Sequence, residues 1–139
     1  MRSSEHDDGG DSGRSTGRRQ ARWRFTTPAV LLLLHAGPAH GYDLLARLPG
    51  VFPRAAEPPD PGTFYRLLRT IEADGALESS WDTTQGGPAR RVYALTDAGR
   101  EQLEWWSLQI EREIEALQRF QAAYRAAAKQ ERPADSSAT

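Results

Sequence analysis

The chain has 139 residues, a formal net charge of −1 and no cysteine, and its length suits one domain. The missing cysteines exclude disulfide frameworks and thiolate metal sites, and the small net charge means that affinity for nucleic acid would need local clusters of basic residues. The longest apolar run, residues 29–34, is far below the roughly 20 residues that span a bilayer, and no signal peptide is apparent. We therefore expect a cytoplasmic protein with no membrane partner.

The first predicted helix begins at Thr27 or Pro28 and ends near Ala36. Threonine is a suitable N-cap, proline fits the first helical position, and Gly37 is a typical stop signal. Because apolar residues occupy most sides of this helix, we expect it to lie at the centre of the domain.

A second short helix is predicted over His40–Leu48. Tyr42, Leu45 and Leu48 recur at helical spacing and are expected to form its buried face. Residues 49–61 contain five prolines and are predicted to form a loop.

The third helix, predicted over Gly62–Asp74, has two chemically different sides. The side away from the core carries Arg66 and Arg69. Most arginines in such positions only keep an exposed helix face hydrated. The short helices before it and the hairpin after it favour a DNA-binding surface instead. The stripe that faces the core is expected to be Phe64, Leu67, Leu68 and Ile71.

Two strands joined by a glycine-rich turn are predicted next, over residues 76–81 and 90–95. Paired glycines permit positive φ and let the backbone approach another surface closely. The segment is either an efficient hairpin alone or a wing that contacts DNA, and arginines just after the turn favour the wing. The candidate wing residues are Gly86, Gly87, Arg90 and Arg91.

A long helix is predicted from Asp97 to about Ala128, with Thr96 as its N-cap. Apolar residues recur along it in a heptad-like seam. A helix of this length cannot bury such a seam on a domain of about 70 residues, so the simplest partner is a second copy of the chain, a homodimer. The seam residues are Leu103, Trp106, Ile110, Ile114, Leu117, Phe120 and Tyr124.

Short helices followed by a basic helix and a basic hairpin are typical of a winged helix-turn-helix, a module that docks on double-stranded DNA. The predicted fold class is mainly α with a small β-hairpin (α+β), completed by a long C-terminal dimerisation helix. We predict a winged helix-turn-helix domain over residues 23–96 and a dimerisation helix over 97–129. Polar segments at 1–22 and 130–139 are expected to be disordered tails.

Three blocks of the sequence together resemble the PadR family of bacterial transcriptional regulators. They are AGPAHGYDLLARL from Ala36, PGTFYRLLRTIEADGALES from Pro61 and GGPARRVYALTDAGR from Gly86. The resemblance, which covers about residues 28–124, implies a winged-helix DNA-binding domain and a dimerisation helix. The single C-terminal helix is similar to the short subclass, and members usually repress nearby genes. No cofactor and no metal are expected.

The resemblance also implies roles for individual side chains. Hydroxyls on the third helix would bond phosphates, and its arginines would reach phosphates or a guanine edge. The wing residues match the family's wing. A further family signature is matched by His40, Gly41 and Tyr42, and we interpret it as structural. His40 would start the second helix, Gly41 would permit a close helix contact, and the ring of Tyr42 would pack. The residues on the DNA-facing side of the third helix are Thr63, Tyr65, Arg66 and Arg69.

Two further hypotheses concern residues outside this surface. An arginine cluster, Arg18, Arg19, Arg22 and Arg24, forms either an arm along DNA or a solubilising tail. By resemblance, Trp105 and Trp106 line a site for a small aromatic effector between subunits; the alternative is an aromatic dimer core.

The predicted function is sequence-specific transcriptional regulation, as a homodimeric repressor at a palindromic operator that an aromatic effector releases. The alternative is a winged-helix module that binds another protein without direct DNA readout. An enzyme is not expected, because no nucleophile–base pair or carboxylate dyad is evident.

Overall fold

The computed structural model describes residues 24–52, 59–84 and 86–131. Within them it is mainly helical with one small antiparallel sheet, which confirms the predicted fold class. The predicted tail over residues 1–22 lies outside the described residues, as does the chain beyond residue 131. The elements in chain order are α1 (Thr26–His35), β1 (Ala39–His40), α2 (Gly41–Val51), α3 (Pro61–Ala73), β2 (Leu77–Asp82), β3 (Arg90–Leu95) and α4 (Asp97–Glu131).

The chain forms two compact units, Met1–Leu103 and Glu104–Thr139. The first contains α1 to α3, the sheet and the start of α4, and the second contains the remainder of α4. The core of the first unit is built where the helices meet the sheet, and its largest fully buried side chains are Val30, Leu31, Leu44, Phe64 and Leu68.

Helix α1 is central, as expected, but its predicted N-cap is wrong. Phe25 occupies the N-cap position without a side-chain hydrogen bond, and its carbonyl accepts from the amide of Ala29 at 3.1 Å. That bond encloses Thr27 in the first turn, so this threonine lies inside the helix instead of capping it.

Helix α2 differs from its prediction in length and in phase. It continues through Pro49 to Val51, so the predicted loop begins later than residue 49. Its buried residues are Gly41, Leu44 and Leu48, whereas Tyr42 is 69% exposed, and the expected packing of that ring is wrong. Gly41 lies on the inward side, in close contact with Tyr65. A β-carbon there would lie 2.7 Å from Cε1 of that ring, so this contact requires a residue without a side chain.

The sheet has three antiparallel strands in the order β1-β3-β2. Strand β1 is only two residues long and was not predicted, because so short a segment has no visible alternation. It pairs Ala39 with Tyr93 and His40 with Val92. On the other side of β3, Asp82 of β2 pairs with Arg90. The start of α2 is therefore attached directly to the hairpin.

Helix α3 lies one residue earlier than predicted at both ends. Phe64, Leu68 and Ile71 are buried, and Leu67 is half-buried at the edge of the predicted stripe. Gly75 follows the helix with a φ of +87°, the left-handed conformation expected for a residue that ends a helix.

The beginning of α4 is fixed to the end of α3 through Thr96. Its hydroxyl donates to the carbonyl of Gly75 at 2.6 Å and accepts from the amide of Gly99 at 3.0 Å, so the predicted N-cap is confirmed. Gly99 is buried against the backbone of Ala76. A β-carbon on Gly99 would overlap the Ala76 carbonyl oxygen and crowd Leu95.

We expect Gly99→Ala to lower the free energy of unfolding by about 1–3 kcal/mol, because overpacking against backbone cannot be relieved by a side-chain rotation. Urea unfolding followed by circular dichroism measures the change. Gly50→Ala is the matched control: a β-carbon there meets nothing within 4 Å, and alanine should stabilise α2 by about 0.5–1 kcal/mol. Equal stability of wild type and Gly99→Ala would contradict the described junction.

Candidate nucleic-acid interface

Helix α3 presents a basic side to solvent because its opposite side is anchored in the core. Asp60 caps its first turn, accepting from the amide of Thr63 at 3.2 Å, and Pro61 occupies the first helical position. Arg66 and Arg69 are both exposed. Two guanidinium groups one turn apart are able to contact phosphates or a guanine edge.

The two hydroxyl residues assigned to the DNA-facing side of this helix, Thr63 and Tyr65, both make contacts within the domain. The Thr63 hydroxyl lies 3.4 Å from the Asp60 carboxylate, to which it donates. Tyr65 is half-buried, with its ring edge-on to Phe64 at 6.0 Å between centroids and against Gly41. The carboxylate of Asp60, which sequence analysis did not identify, adds a negative charge at the start of the basic side.

The hairpin forms a wing, defined here as β2, β3 and the described residues between them, 83, 84 and 86–89. Gly86 and Gly87 have φ values of +42° and +122°. Residues other than glycine adopt these backbone conformations only with strain. At the base of the turn, Oδ1 of Asp82 accepts from the amide of Thr84 at 2.9 Å and from its hydroxyl at 2.6 Å. Arg90 lies beyond the turn and is exposed.

Arg91 is held in place by β2. Its Nε donates to the Ser79 hydroxyl at 2.8 Å, and that hydroxyl in turn donates to Glu72 of α3. The guanidinium carbon lies 5.1 Å from the centroid of the Trp81 ring, within the range of a cation–π interaction. The two contacts together fix the orientation of the Arg91 side chain. They also give the Trp81 ring, which is 62% exposed, a partner on its face.

A groove of about 560 Å³ lies between Tyr65 of α3, the start of α2 and strand β3 of the wing. Burial raises the pKa of the Tyr93 hydroxyl, while the charges of Arg91 and Arg69 oppose that shift. The groove therefore contains phenol hydroxyls beside arginine side chains, a suitable lining for a phosphate backbone. Its lining residues, called the wing groove below, are His40, Gly41, Tyr42, Tyr65, Arg90, Arg91 and Tyr93.

The structure thus brings Tyr65 of α3 and the wing arginines to one surface. It also adds two residues that sequence analysis had interpreted as structural: Tyr42 is exposed at the groove, and His40 contacts two carboxylates. One of those carboxylates, Asp82, is 42 residues away, so no local sequence signal could have revealed the pair.

The second unit is described by itself. Along α4, seam residues Ile114, Leu117, Phe120 and Tyr124 are 51–68% exposed. Trp105 is 54% exposed, and its ring lies edge-on to Trp106 with 5.2 Å between centroids. Seam residues Trp106 and Ile110 of this unit are half-buried, as is Leu103, the last residue of the first unit.

Most of the hypothetical arginine arm lies outside the described residues. Arg18, Arg19 and Arg22 belong to the chain before residue 24. The guanidinium of Arg24 lies 5.5 Å from the centroid of Phe25.

Other chemistry receives no support from the described part of the chain. Among residues 24–52, 59–84 and 86–131, no group of His, Asp and Glu could hold a metal ion. None of the helices described is long and apolar enough to cross a membrane.

Three helices followed by an antiparallel wing define a winged helix-turn-helix. Comparison with protein families gives a match to the model of the transcriptional regulator PadR-like family over residues 30–105. The chain belongs to the PadR-like family, a family of transcriptional regulators and not of enzymes. Comparison with curated proteins gave no significant match.

Solved structures of similar fold agree with this assignment. A PadR family transcriptional regulator from Eggerthella lenta has 28% sequence identity and a TM-score of 0.61, with 79% of this chain and 93% of that chain covered. A PadR-like transcriptional regulator from Bacillus cereus has 22% identity and a TM-score of 0.61, covering 73% and 95%. PadR of Bacillus subtilis, solved in complex with operator DNA, has 23% identity and a TM-score of 0.53, covering 60% of this chain and 46% of that chain.

Proposed function

We propose that this PadR-like regulator is a homodimeric repressor that binds a palindromic operator in the cytoplasm. The observation that carries the proposal is the exposed pair Arg66 and Arg69 on α3, next to a wing whose arginines flank a groove. A helix of this kind enters the major groove, while a wing contacts the adjacent backbone or minor groove. A similar fold bound to operator DNA, in Bacillus subtilis PadR, supports the same mode.

In this mode the contacts divide into two kinds. Arg66 and Arg69 supply base-edge or phosphate contacts, and the hydroxyls of Thr63 and Tyr65 bond phosphates. For Thr63 this bond replaces the present one to Asp60. Gly86 and Gly87 let the wing backbone approach the sugar–phosphate surface. Arg90 and Arg91 supply the charge that releases counterions.

Dimerisation is proposed from the exposed seam of α4. Large apolar side chains at seven-residue spacing, more than half exposed in a single chain, are typical of a helix that pairs with another. A second copy satisfies the seam with two-fold symmetry, and a two-fold protein matches a palindromic site. The domain division expected from the sequence, 23–96 and 97–129, corresponds to these two tasks.

Two finer parts of the proposal concern ligands. The arginines before residue 24, with Arg24, form an arm that adds phosphate contacts. Trp105 and Trp106 line a site for a planar aromatic effector at the dimer interface, where stacking would be favourable. Binding there would change the pairing of the two helices and release the operator.

The effector site predicts quenching of Trp106 fluorescence. In a variant that keeps only Trp106 (Trp23→Phe, Trp81→Phe, Trp105→Phe), acridine should quench the emission saturably, because a stacked ring is an efficient quencher at contact. A variant that keeps only Trp81 is the control, since that residue lies on the wing. Absence of quenching in the Trp106-only protein would contradict the effector site and favour the alternative, in which the two tryptophans only pack in the dimer core.

The proposed function is tested by selecting duplexes from a random library with the purified protein. We expect an inverted repeat to be enriched and to bind at nanomolar concentrations at physiological salt. Recovery of no preferred sequence, together with a tight complex with another protein, would favour the interaction-module alternative.

A further inference from the structure

His40 lies where β1 ends and α2 begins, and its imidazole contacts two carboxylates. Nε2 lies 3.2 Å from Oδ2 of Asp82, at the end of β2, and Nδ1 lies 3.5 Å from Oδ2 of Asp43, in the first turn of α2. The His40 and Asp82 side chains are only 23% and 16% exposed. The imidazole thus connects the helix-turn-helix part of the domain to the wing.

Asp82 transmits this contact to the wing turn. One carboxylate oxygen faces His40, and the other accepts two hydrogen bonds from Thr84. The bonds from Thr84, and to a smaller extent the contact with His40, lower the pKa of Asp82, although burial opposes them. Asp82 therefore stays ionised throughout the pH range in which histidine changes charge.

The protonation state of the imidazole decides how many of these contacts are attractive. A neutral imidazole has one N–H donor and one acceptor nitrogen, whereas the imidazolium has two donors. Protonation makes the hydrogen bond to Asp82 charge-assisted and places a second N–H at ion-pair distance from Asp43. In the neutral ring the bond to Asp82 is either uncharged or, in the other tautomer, replaced by a lone pair that faces the carboxylate. The link between the imidazole and the wing is therefore weaker when the ring is neutral.

We propose that His40 is a positioning residue whose protonation braces the wing against the start of α2 and strengthens DNA binding at mildly acidic pH. The wing carries Arg90 and Arg91. When the contact at its base is weaker, these side chains sample more orientations in the free protein, so more conformational entropy is lost when the wing binds DNA. The inference rests on the proposed DNA-binding function, but the brace itself exists in the free protein.

The charged groups that face His40 come from three elements. Asp43 of α2 and Asp82 of β2 contact the ring, and Arg90 and Arg91 of β3 line the same groove. A DNA phosphate in the groove would add negative charge, so binding should be accompanied by proton uptake. The other polar side chains that line the groove are the tyrosines Tyr42 of α2, Tyr65 of α3 and Tyr93 of β3.

The test compares wild type with variants in which the brace cannot titrate. His40→Gln keeps a hydrogen-bond donor without a titrating charge, and Asp82→Asn keeps an acceptor for Thr84 without the carboxylate. His35→Gln, an exposed residue at the end of α1, is the matched control. Affinity for a 30-base-pair duplex recovered by selection is measured by fluorescence anisotropy from pH 5.5 to 8.5 at constant salt.

We expect wild type and His35→Gln to bind about three- to tenfold more tightly at pH 6 than at pH 8. The curves of His40→Gln and Asp82→Asn should be flatter by that factor. Hydrogen exchange of the wing amides in the free protein, corrected for the intrinsic pH dependence of exchange, should slow at pH 6 in wild type and His35→Gln but not in His40→Gln.

The inference is overturned if His40→Gln follows the wild-type pH curve and the wing amides exchange alike in both proteins. Failure of wild type to bind any selected duplex would instead count against the proposed function. The exchange measurement needs no DNA, so it decides on the brace in either case.

Discussion

Replacing Arg66 and Arg69 by alanine is expected to reduce affinity for the selected operator by thirtyfold or more. Each arginine contact to a base edge contributes about 1–3 kcal/mol, so removing two weakens binding by at least about 2 kcal/mol per half-site. Both side chains are exposed and belong to the side of α3 away from the core, so the fold should be retained. Fluorescence anisotropy with a labelled duplex measures the loss.

A matched control removes the same charge elsewhere. Arg112→Ala with Arg125→Ala deletes two exposed arginines from α4 and should change affinity far less. The form of the loss is also informative. Loss of a base contact relaxes specificity at one position of the operator, whereas loss of a phosphate contact weakens binding to all sequences and lowers the salt slope by about one per contact. Wild-type affinity in the Arg66/Arg69 variant would show that another surface binds the duplex.

Introducing charge into the seam of α4 is expected to separate the dimer. Leu117→Glu with Phe120→Glu removes two large apolar side chains, each worth about 1.5–3 kcal/mol when buried, and puts carboxylates in their place. In a single chain these side chains are 59% and 68% exposed, so the substitutions should leave each protomer folded. Sedimentation equilibrium at micromolar concentration should give a dimer for wild type and a monomer for the variant.

Operator affinity should fall about a hundredfold or more in the monomer, since the second half-site no longer benefits from the high effective concentration that linkage provides. Ala122→Glu with Ala126→Glu is the control, because these exposed residues lie on the side of the helix away from the seam. A wild-type sedimentation profile in the seam variant would contradict the proposed interface. Dissociation of the control would mean that the interface lies on another side of the helix.

Much of the fold could be predicted because its signals are local. The amphipathic stripe of α3, the glycine stop at Gly75 and the cap at Thr96 each depend on residues within one or two turns. The same holds for the paired glycines of the wing. The assignment of DNA-facing residues on α3 and the wing stays a prediction until binding is measured.

The parts that sequence analysis missed depend on contacts between distant segments. Strand β1 exists because two residues meet β3, and the pair His40–Asp82 spans 42 residues. Tyr42 was placed in the core because its spacing to Leu45 and Leu48 is helical. The buried side of α2 is instead Gly41, Leu44 and Leu48, with Gly41 packed against Tyr65 of α3, and this leaves Tyr42 exposed. Pro49 continues a helix that local rules would end there.

The decisive measurement is hydroxyl-radical footprinting of the wild-type protein on a 40-base-pair selected duplex. Two copies of the α3 and wing surface should protect two stretches on each strand, related by a dyad. Their centres should be separated by one helical turn, about 10 base pairs, or a multiple of it. A single unsymmetrical protected stretch, or protection that persists unchanged in the Arg66/Arg69 variant, would contradict a two-fold complex formed through this surface.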